Sequence, residues 1–225
     1  MTRAPDIAGI ILAGGLSRRM FPVARDGSCA DLHSGDKGLL ALGGKPMLAH
    51  VIERFRPQVG AVALNANGDP ARFAEFGLPV VADTIEGFVG PLAGVLAGIL
   101  WARQHAPAAR WVATVSADAP FVPADLVARL RAAVEARGNA IAIAQSGGEL
   151  HPVIGLWPVC LAEDLDAALR GGLRKVLAWT DKHGTVPVAF EHLDIAGTKV
   201  DPFFNANTPD ELAEARRLKA QMGNA

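Results

Sequence analysis

Two adjacent glycines at the end of an apolar run are the first residues here whose types and spacing suggest chemistry. Residues 7–12 read as a strand. Leu12, Ala13, Gly14 and Gly15 close it, and Arg18 and Arg19 follow at once. Lacking Cβ atoms, paired glycines let backbone N–H groups approach a ligand closely. Such a nest of amides binds anions, and two guanidinium groups beside it add full positive charge. The stretch reads as a phosphate-gripping turn at the carboxyl end of the first strand. Gly-rich turns are common, so this reading needs support from elsewhere in the chain.

Four further residues offer that support, each with a competing local role. Lys37, in Asp36-Lys37-Gly38, is a compact cation of the kind that neutralises phosphate, or else a solvated loop lysine. Asp118 follows the apolar run 111–115 and is placed to hold Mg²⁺, which needs only one or two carboxylates plus phosphates and water. Its competing role is to cap the turn into a helix beginning near residue 123. Asn65 and Asp83 each close a short apolar run. Guanine presents two donors side by side that one carboxylate can accept together, a task suited to Asp83 or a neighbour. Turn formation is the alternative for both.

Other chemistries lack their residues. No Gly-x-Gly-x-x-Gly follows the first strand, and Gly44-Lys45 is followed by Pro46 rather than Ser or Thr, so neither a dinucleotide fingerprint nor a Walker loop is present. His-Glu-x-x-His and Gly-x-Ser-x-Gly are absent. Cys29 and His33, with Asp26, Asp31 and Asp36 nearby, find no second Cys/His pair to complete a tetrahedral metal set. None of the six histidines can be assigned as a general base.

The elements that must position these residues alternate along the chain. Strands are expected at 7–12, 60–65, 79–82, 111–116, 139–145, 152–157 and 186–190. Helices are expected at 46–57, 70–76, 91–105, 123–137, 158–170, 172–182 and 208–221. Short buried strands separated by helical patterns indicate βαβ units, hence an α/β fold with a mostly parallel sheet covered on both faces. Ligands bind such sheets beyond the carboxyl ends of the strands, where Gly14-Gly15, Asn65, Asp83 and Asp118 all fall. The 16 residues between Met20 and Lys37 show neither strand nor helix period and read as a lid, binding loop or disordered insertion. Gly94 and Gly98 are expected to let the helix at 91–105 pack closely on the sheet. With no repeat and no linker, one domain over 1–225 is the simplest organisation.

Composition narrows the class. Half of the 225 residues are hydrophobic, enough for a buried core. A net charge of −1, from 22 basic and 23 acidic residues, argues against nucleic acid or an anionic membrane as partner. The longest apolar run, 91–102, is shorter than the roughly 20 residues a bilayer requires. Two distant cysteines and a start without a secretory pattern suit a cytoplasmic protein.

Taken in order, these segments resemble the molybdenum cofactor guanylyltransferases. The resemblance is carried by Leu12-Ala-Gly-Gly-Leu-Ser-Arg-Arg-Met20, Asp36-Lys-Gly-Leu-Leu-Ala-Leu-Gly-Gly-Lys-Pro46, Asn65-Ala-Asn67, Gly90-Pro-Leu-Ala-Gly94, Asp118 and Asn205-Ala-Asn-Thr-Pro-Asp-Glu-Leu212. The first motif alone marks the wider group of sugar-phosphate and cofactor nucleotidyltransferases, and the later ones narrow it.

The resemblance implies a three-layer, Rossmann-like nucleotidyltransferase fold. The GTP and Mg²⁺ side would occupy about 1–120 and the pterin side about 121–225. Leu12, Ala13, Gly14, Gly15, Lys37, Asn65, Asp83 and Asp118 match GTP-binding positions, and Asp118 also the metal position. In catalysis Mg²⁺, Arg19 and Lys37 would offset charge around the triphosphate, and Asp118 would hold the metal. Asn205 and Asn207 match pterin-binding positions, and their amides both donate and accept as a pterin edge requires. His151 and the pair Arg174-Lys175 resemble positions on that side. Thr208-Pro-Asp-Glu211 is also a capping box with proline at N1, so the asparagines have a competing role in shaping a turn.

The implied reaction joins GTP to the phosphate of molybdopterin or the molybdenum cofactor. Other cofactor-biosynthesis proteins and molybdoenzyme chaperones are implied partners. A phosphate nucleophile, with a second pKa of about 6, needs no base. One departure stands out: the family has glycine directly after Arg-Arg-Met and reaches its lysine within a few residues. Here Phe21-Pro22 and the insertion intervene, so the insertion is expected to loop out and return Lys37 to the site. Two other functions fit the same residues. One is a cytidylyl- or sugar-phosphate nucleotidyltransferase, and the other a non-catalytic nucleotide-binding cofactor-delivery protein.

Overall fold

The computed structural model describes residues 4–14, 20, 36–85, 87, 90–135, 137 and 140–223. Gly15, Arg18, Arg19 and the stretch 21–35 lie outside the described residues, and with them the expectations placed there. In chain order the elements are β1 (Ala4–Leu12), β2 (Ala41–Leu42), β3 (Lys45–Pro46), α1 (Met47–Phe55), β4 (Val59–Asn65), β5 (Val80–Val81), α2 (Pro91–His105), β6 (Trp111–Ser116) and α3 (Leu126–Glu135). There follow β7 (Ala142–Ser146), β8 (Glu149–Pro158), α4 (Ala162–Arg170), α5 (Val176–Thr180), β9 (Val186–Phe190), β10 (Leu193–Ile195), β11 (Thr198–Val200) and α6 (Pro209–Gly223).

Among the described residues a seven-stranded sheet runs in the order β5-β4-β1-β6-β8-β7-β9. Its pairings are parallel except where β8 meets β6 and β7. The chain winds outward from β1 to β4 and β5 on one side and to β6 on the other. The switch point is therefore beside β1, where an open α/β sheet leaves a crevice. Register puts Leu12 opposite both Asn65 and Ser116, so the three parallel strands end at one level.

The sheet is buried on both faces, as its continuous apolar runs require. Along β1, Ile7 and Ile11 face a cluster with Val51 and Phe55 of α1 and Leu130 of α3. Ala8 and Ile10 face the opposite one, with Leu96 and Ile99 of α2 and Leu165 of α4. The period-2 alternation of a strand divides the core into these two halves. A third cluster joins α6 to the hairpins β2-β3 and β10-β11 through Leu42, Ile195, Val200, Leu212 and Leu218.

Several boundaries differ from the sequence reading, each for a local reason. The turn at Pro70–Phe76 is a 3₁₀ helix, ended by Gly77 at φ 59°. Strand β8 is longer than expected and reversed; Thr114 accepts the Trp157 indole N–H at 2.8 Å and donates to the Val153 carbonyl at 2.7 Å, fastening β8 to β6. Pro158 closes that strand and a 3₁₀ turn intervenes, so α4 starts at Ala162 rather than near 158. Of the helix expected at 172–182, α5 forms Val176–Thr180 and a 3₁₀ turn continues it. The short hairpins had no sequence signature long enough to read.

Candidate functional site

Beyond the carboxyl ends of β1, β4 and β6 lies a cleft of about 480 Å³. Leu12, Ala13 and Gly14 form its floor at the end of β1. Ala13 donates to the Asn65 carbonyl at 2.8 Å and Ala117 to the Leu12 carbonyl at 3.0 Å, which continues the sheet into the site. Lys37, Asn65, Asp83, Asp118, Asn205 and Asn207 also line the cleft. The residues expected to bind GTP and the two asparagines, where described, therefore stand at one opening.

Asp118 follows β6 and is largely buried. Its carboxylate forms an ion pair with the Lys37 ammonium, and the two side chains keep only 12% and 15% exposure. Lys37 also donates to Asn207 Oδ1 at 2.5 Å. One ammonium thus touches the carboxylate that follows β6 and an amide on the opposite wall. The 3₁₀ turn Lys37–Leu39 carries Lys37 there. Its Gly38 lies so near the segment after β6 that a Cβ would stand 3.2 Å from the Ala117 methyl.

At the other end, Asp83 is held by amides. Asn65 Nδ2 donates to Asp83 Oδ1 at 2.9 Å, and Asn67 Nδ2 to Oδ2 at 2.8 Å. Asn67 in turn accepts from the Asp83 backbone N–H at 2.9 Å. Each carboxylate oxygen keeps a lone pair for a further donor. Gly94 of α2 makes room for Asn65, since a Cβ there would lie 2.2 Å from Asn65 Oδ1. Gly90 before α2 adopts φ 87° and ψ −176°, a conformation essentially restricted to glycine.

The far wall is the segment after β11. Asp201 accepts from Ser146 Oγ and from the Phe203 N–H, both at 2.8 Å, and Ala206 donates to the Asp118 carbonyl at 3.2 Å. Asn205 Oδ1 is buried without a hydrogen-bond partner among the described residues. Half of the capping box at α6 is formed: Glu211 N–H donates to Thr208 Oγ1 at 3.2 Å, while the Glu211 carboxylate accepts from the Asn207 N–H at 2.8 Å, one residue before the cap. So Asn207 shapes the turn and faces the cleft at once.

His151 and Arg174 do not line the cleft. His151 contacts Ser146 Oγ at 2.6 Å and packs on Phe203, and burial lowers its pKa below 6.5. Arg174 donates to the Leu169 and Leu173 carbonyls, and Lys175 occupies the N-cap position of α5 without a side-chain bond to it. Gly38, Ser116, Ala117 and Val153 also line the cleft, with no binding role assigned to them from the sequence. Val153 reaches the cleft because β8 runs antiparallel, which a single strand's pattern does not reveal. Arg72, outside the cleft, ties Asp36 to the Asn67 carbonyl.

A doubly wound sheet whose switch-point cleft combines a glycine turn, a carboxylate and a lysine is the architecture of a nucleotidyltransferase. Residues 9–186 match the family model of the MobA-like NTP transferase domain. A molybdenum cofactor guanylyltransferase from Bradyrhizobium sp. (strain ORS 278) is 50% identical over 215 residues, covering 95% of this chain and 93% of that protein. One from Mesorhizobium japonicum is 47% identical over 222 residues, covering 96% and 98%. The chain belongs to the MobA-like NTP transferase family and, within it, to the molybdenum cofactor guanylyltransferases. Among solved structures, molybdopterin-guanine dinucleotide biosynthesis protein A from Archaeoglobus fulgidus matches with a TM-score of 0.70 at 23% identity, over 96% of this chain and 100% of that one. A nucleotidyl transferase from Methanothermobacter matches with a TM-score of 0.67 at 19% identity, over 96% and 98%. At such identities the likeness concerns the fold.

Proposed function

We propose that the protein transfers GMP from GTP to the phosphate of molybdopterin or the molybdenum cofactor. The products are the guanine dinucleotide cofactor and pyrophosphate. The observation that carries the reading is Lys37, whose ammonium contacts both Asp118 and Asn207 where the two walls of the cleft meet. On this reading the nucleotide lies along Leu12, Ala13, Gly14 and Gly15, with Asn65 and Asp83 at the base. The free lone pairs of the Asp83 carboxylate suit the paired donors of guanine. Asn205 and Asn207 hold the pterin, and the unpartnered Asn205 Oδ1 suits one of its N–H groups.

The incoming phosphate oxygen forms a bond to the α-phosphorus of GTP while the α–β bridging bond breaks and pyrophosphate departs. The nucleophile is already ionised, with a second pKa of about 6, so no side chain must remove a proton. What remains for the protein is alignment and charge compensation. Lys37 and Arg19 supply cations, Arg19 on its place in the sequence. Asp118 fits a Mg²⁺ that arrives with the triphosphate. It is one strand-end carboxylate, and no cluster of three or more candidate ligands exists among the described residues, as suits an ion completed by phosphates and water. When bound, Mg²⁺ would neutralise phosphoryl oxygens. A cytoplasmic site and transfer of the product through other cofactor-biosynthesis proteins and molybdoenzyme chaperones belong to the same proposal.

The test is pyrophosphate release with GTP, Mg²⁺ and molybdopterin, compared with CTP and ATP in place of GTP. Release requiring both GTP and molybdopterin is expected. Preference for CTP would overturn the guanylyl assignment, and nucleotide binding without release would leave a delivery protein. In a thermal-shift comparison, a nucleotide at 100 times its Kd should add about 2.7 kcal/mol of stability.

A further inference from the structure

Arg72, in the 3₁₀ turn Pro70–Phe76, lies outside the cleft but between its two nucleotide-side contacts. Its Nε forms an ion pair with Asp36, the residue that precedes Lys37, and the side chains keep 19% and 10% exposure. Its Nη2 donates to the Asn67 carbonyl at 2.6 Å, and Nη1 to the Asp69 carbonyl. The guanidinium stacks 4.6 Å over the buried Phe73 ring, which leaves the planar fork little freedom. Asn67 meanwhile clamps Asp83 through two hydrogen bonds. A continuous polar chain thus runs Asp83, Asn67, Arg72, Asp36, Lys37. Because Asp36 adjoins Lys37, this ion pair holds the backbone directly before the Lys37 ammonium's own turn.

We infer that Arg72 is a positioning residue for nucleotide binding: by joining Asp36 to the Asn67 carbonyl, it sets the spacing between the Lys37 ammonium and the Asp83 carboxylate. The inference rests on the proposal that both groups contact GTP. A rigid planar donor suits the task, because its several N–H groups leave in fixed directions that a lysine cannot reproduce. Misplacing a binding group by about 1 Å can cost about 100-fold, so a residue remote from the ligand can matter this much.

The experiment measures the Kd of GTP with Mg²⁺ for the full chain and for Asp36→Asn, Arg72→Met, Arg72→Lys, Lys37→Ala and Arg72→Met/Lys37→Ala. Melting without nucleotide is followed in parallel. Arg72→Met and Asp36→Asn are each expected to raise the Kd about 10- to 100-fold, and Arg72→Lys to rescue little. If Arg72 acts chiefly through Lys37, the double variant binds within about twofold of Lys37→Ala, since coupled residues do not lose affinity additively. Asp36→Asn keeps the Arg72 bonds to two carbonyls and its stacking, so it answers the question should Arg72→Met fold poorly. Weakened binding in Lys37→Ala with unchanged binding in Asp36→Asn and Arg72→Met would overturn the inference, as would multiplicative losses in the double variant. Unchanged binding in Lys37→Ala would instead remove the GTP assignment of Lys37, and the inference with it.

Discussion

Asp118 and Lys37 neutralise each other where neither is well hydrated, which explains how a largely buried carboxylate is tolerated at a strand end. The pair also holds two opposite charges at the cleft. Asp118→Asn retains the shape and removes the charge. It should lower GTP-dependent pyrophosphate release by about 10²- to 10³-fold, the scale seen when one electrostatic contact to a transition state is lost. Its stability cost by urea denaturation should fall below the about 3–5 kcal/mol of a fully buried broken pair, because both side chains retain some solvent. Release at the native rate would exclude Asp118 from the chemistry. At this scale the sequence was informative about Asp118, whose carboxylate ends a buried run. It was silent about the contact between Lys37 and Asn207, which are 170 residues apart.

Helix α2 is apolar on most of its circumference and lies on the sheet through its glycines. A Cβ at Gly98 would stand 2.4 Å from Ile10 Cγ1, so the expected close approach is real. Gly98→Ala should cost about 1–3 kcal/mol through overpacking, read from the urea midpoint at constant slope. No change would mean that α2 can shift without penalty. At α6, Thr208→Ala removes the cap to Glu211 and should cost about 1 kcal/mol. Because Glu211 also holds the Asn207 N–H, this variant should raise the KM for molybdopterin more than that for GTP. Equal changes in both would detach the cap from the pterin wall. Helix α2 and this cap were legible because a short local pattern encodes each. The 3₁₀ helix carrying Arg72 was read as an ordinary helix, since seven residues are too few to tell a period of 3.0 from one of 3.6.

Across the molecule, the buried imidazole of His50 and the half-buried one of His151 are expected to make folding sensitive to acid. Burial is the main cause holding His50 and His151 below 6.5. For His50 the Leu42 carbonyl and Glu53 oppose the shift while Lys219 and Lys45 reinforce it; for His151 Asp201 and Glu149 oppose it. A histidine with a folded pKa below its unfolded one binds more protons when unfolded. Its stabilising effect is complete above about pH 6.5 and declines as pH falls below that value. The urea midpoint should therefore be lower at about pH 5.5 than at about pH 7.5, and the difference should shrink in His151→Gln. A midpoint that rises on acidification would contradict this.

By itself the sequence determined the alternation of strands and helices and the residues that close the strands. It also determined the capping box at α6 and the family. These features rest on periodicity and near neighbours, which a linear chain displays directly. Tertiary structure decided the reversal of β8, the convergence of Asp36, Arg72 and Asn67, and the meeting of Lys37 with both walls of the cleft. Those depend on which segments lie side by side once both faces of the sheet are covered. That adjacency is a property of the packed core as a whole, and no local pattern records it.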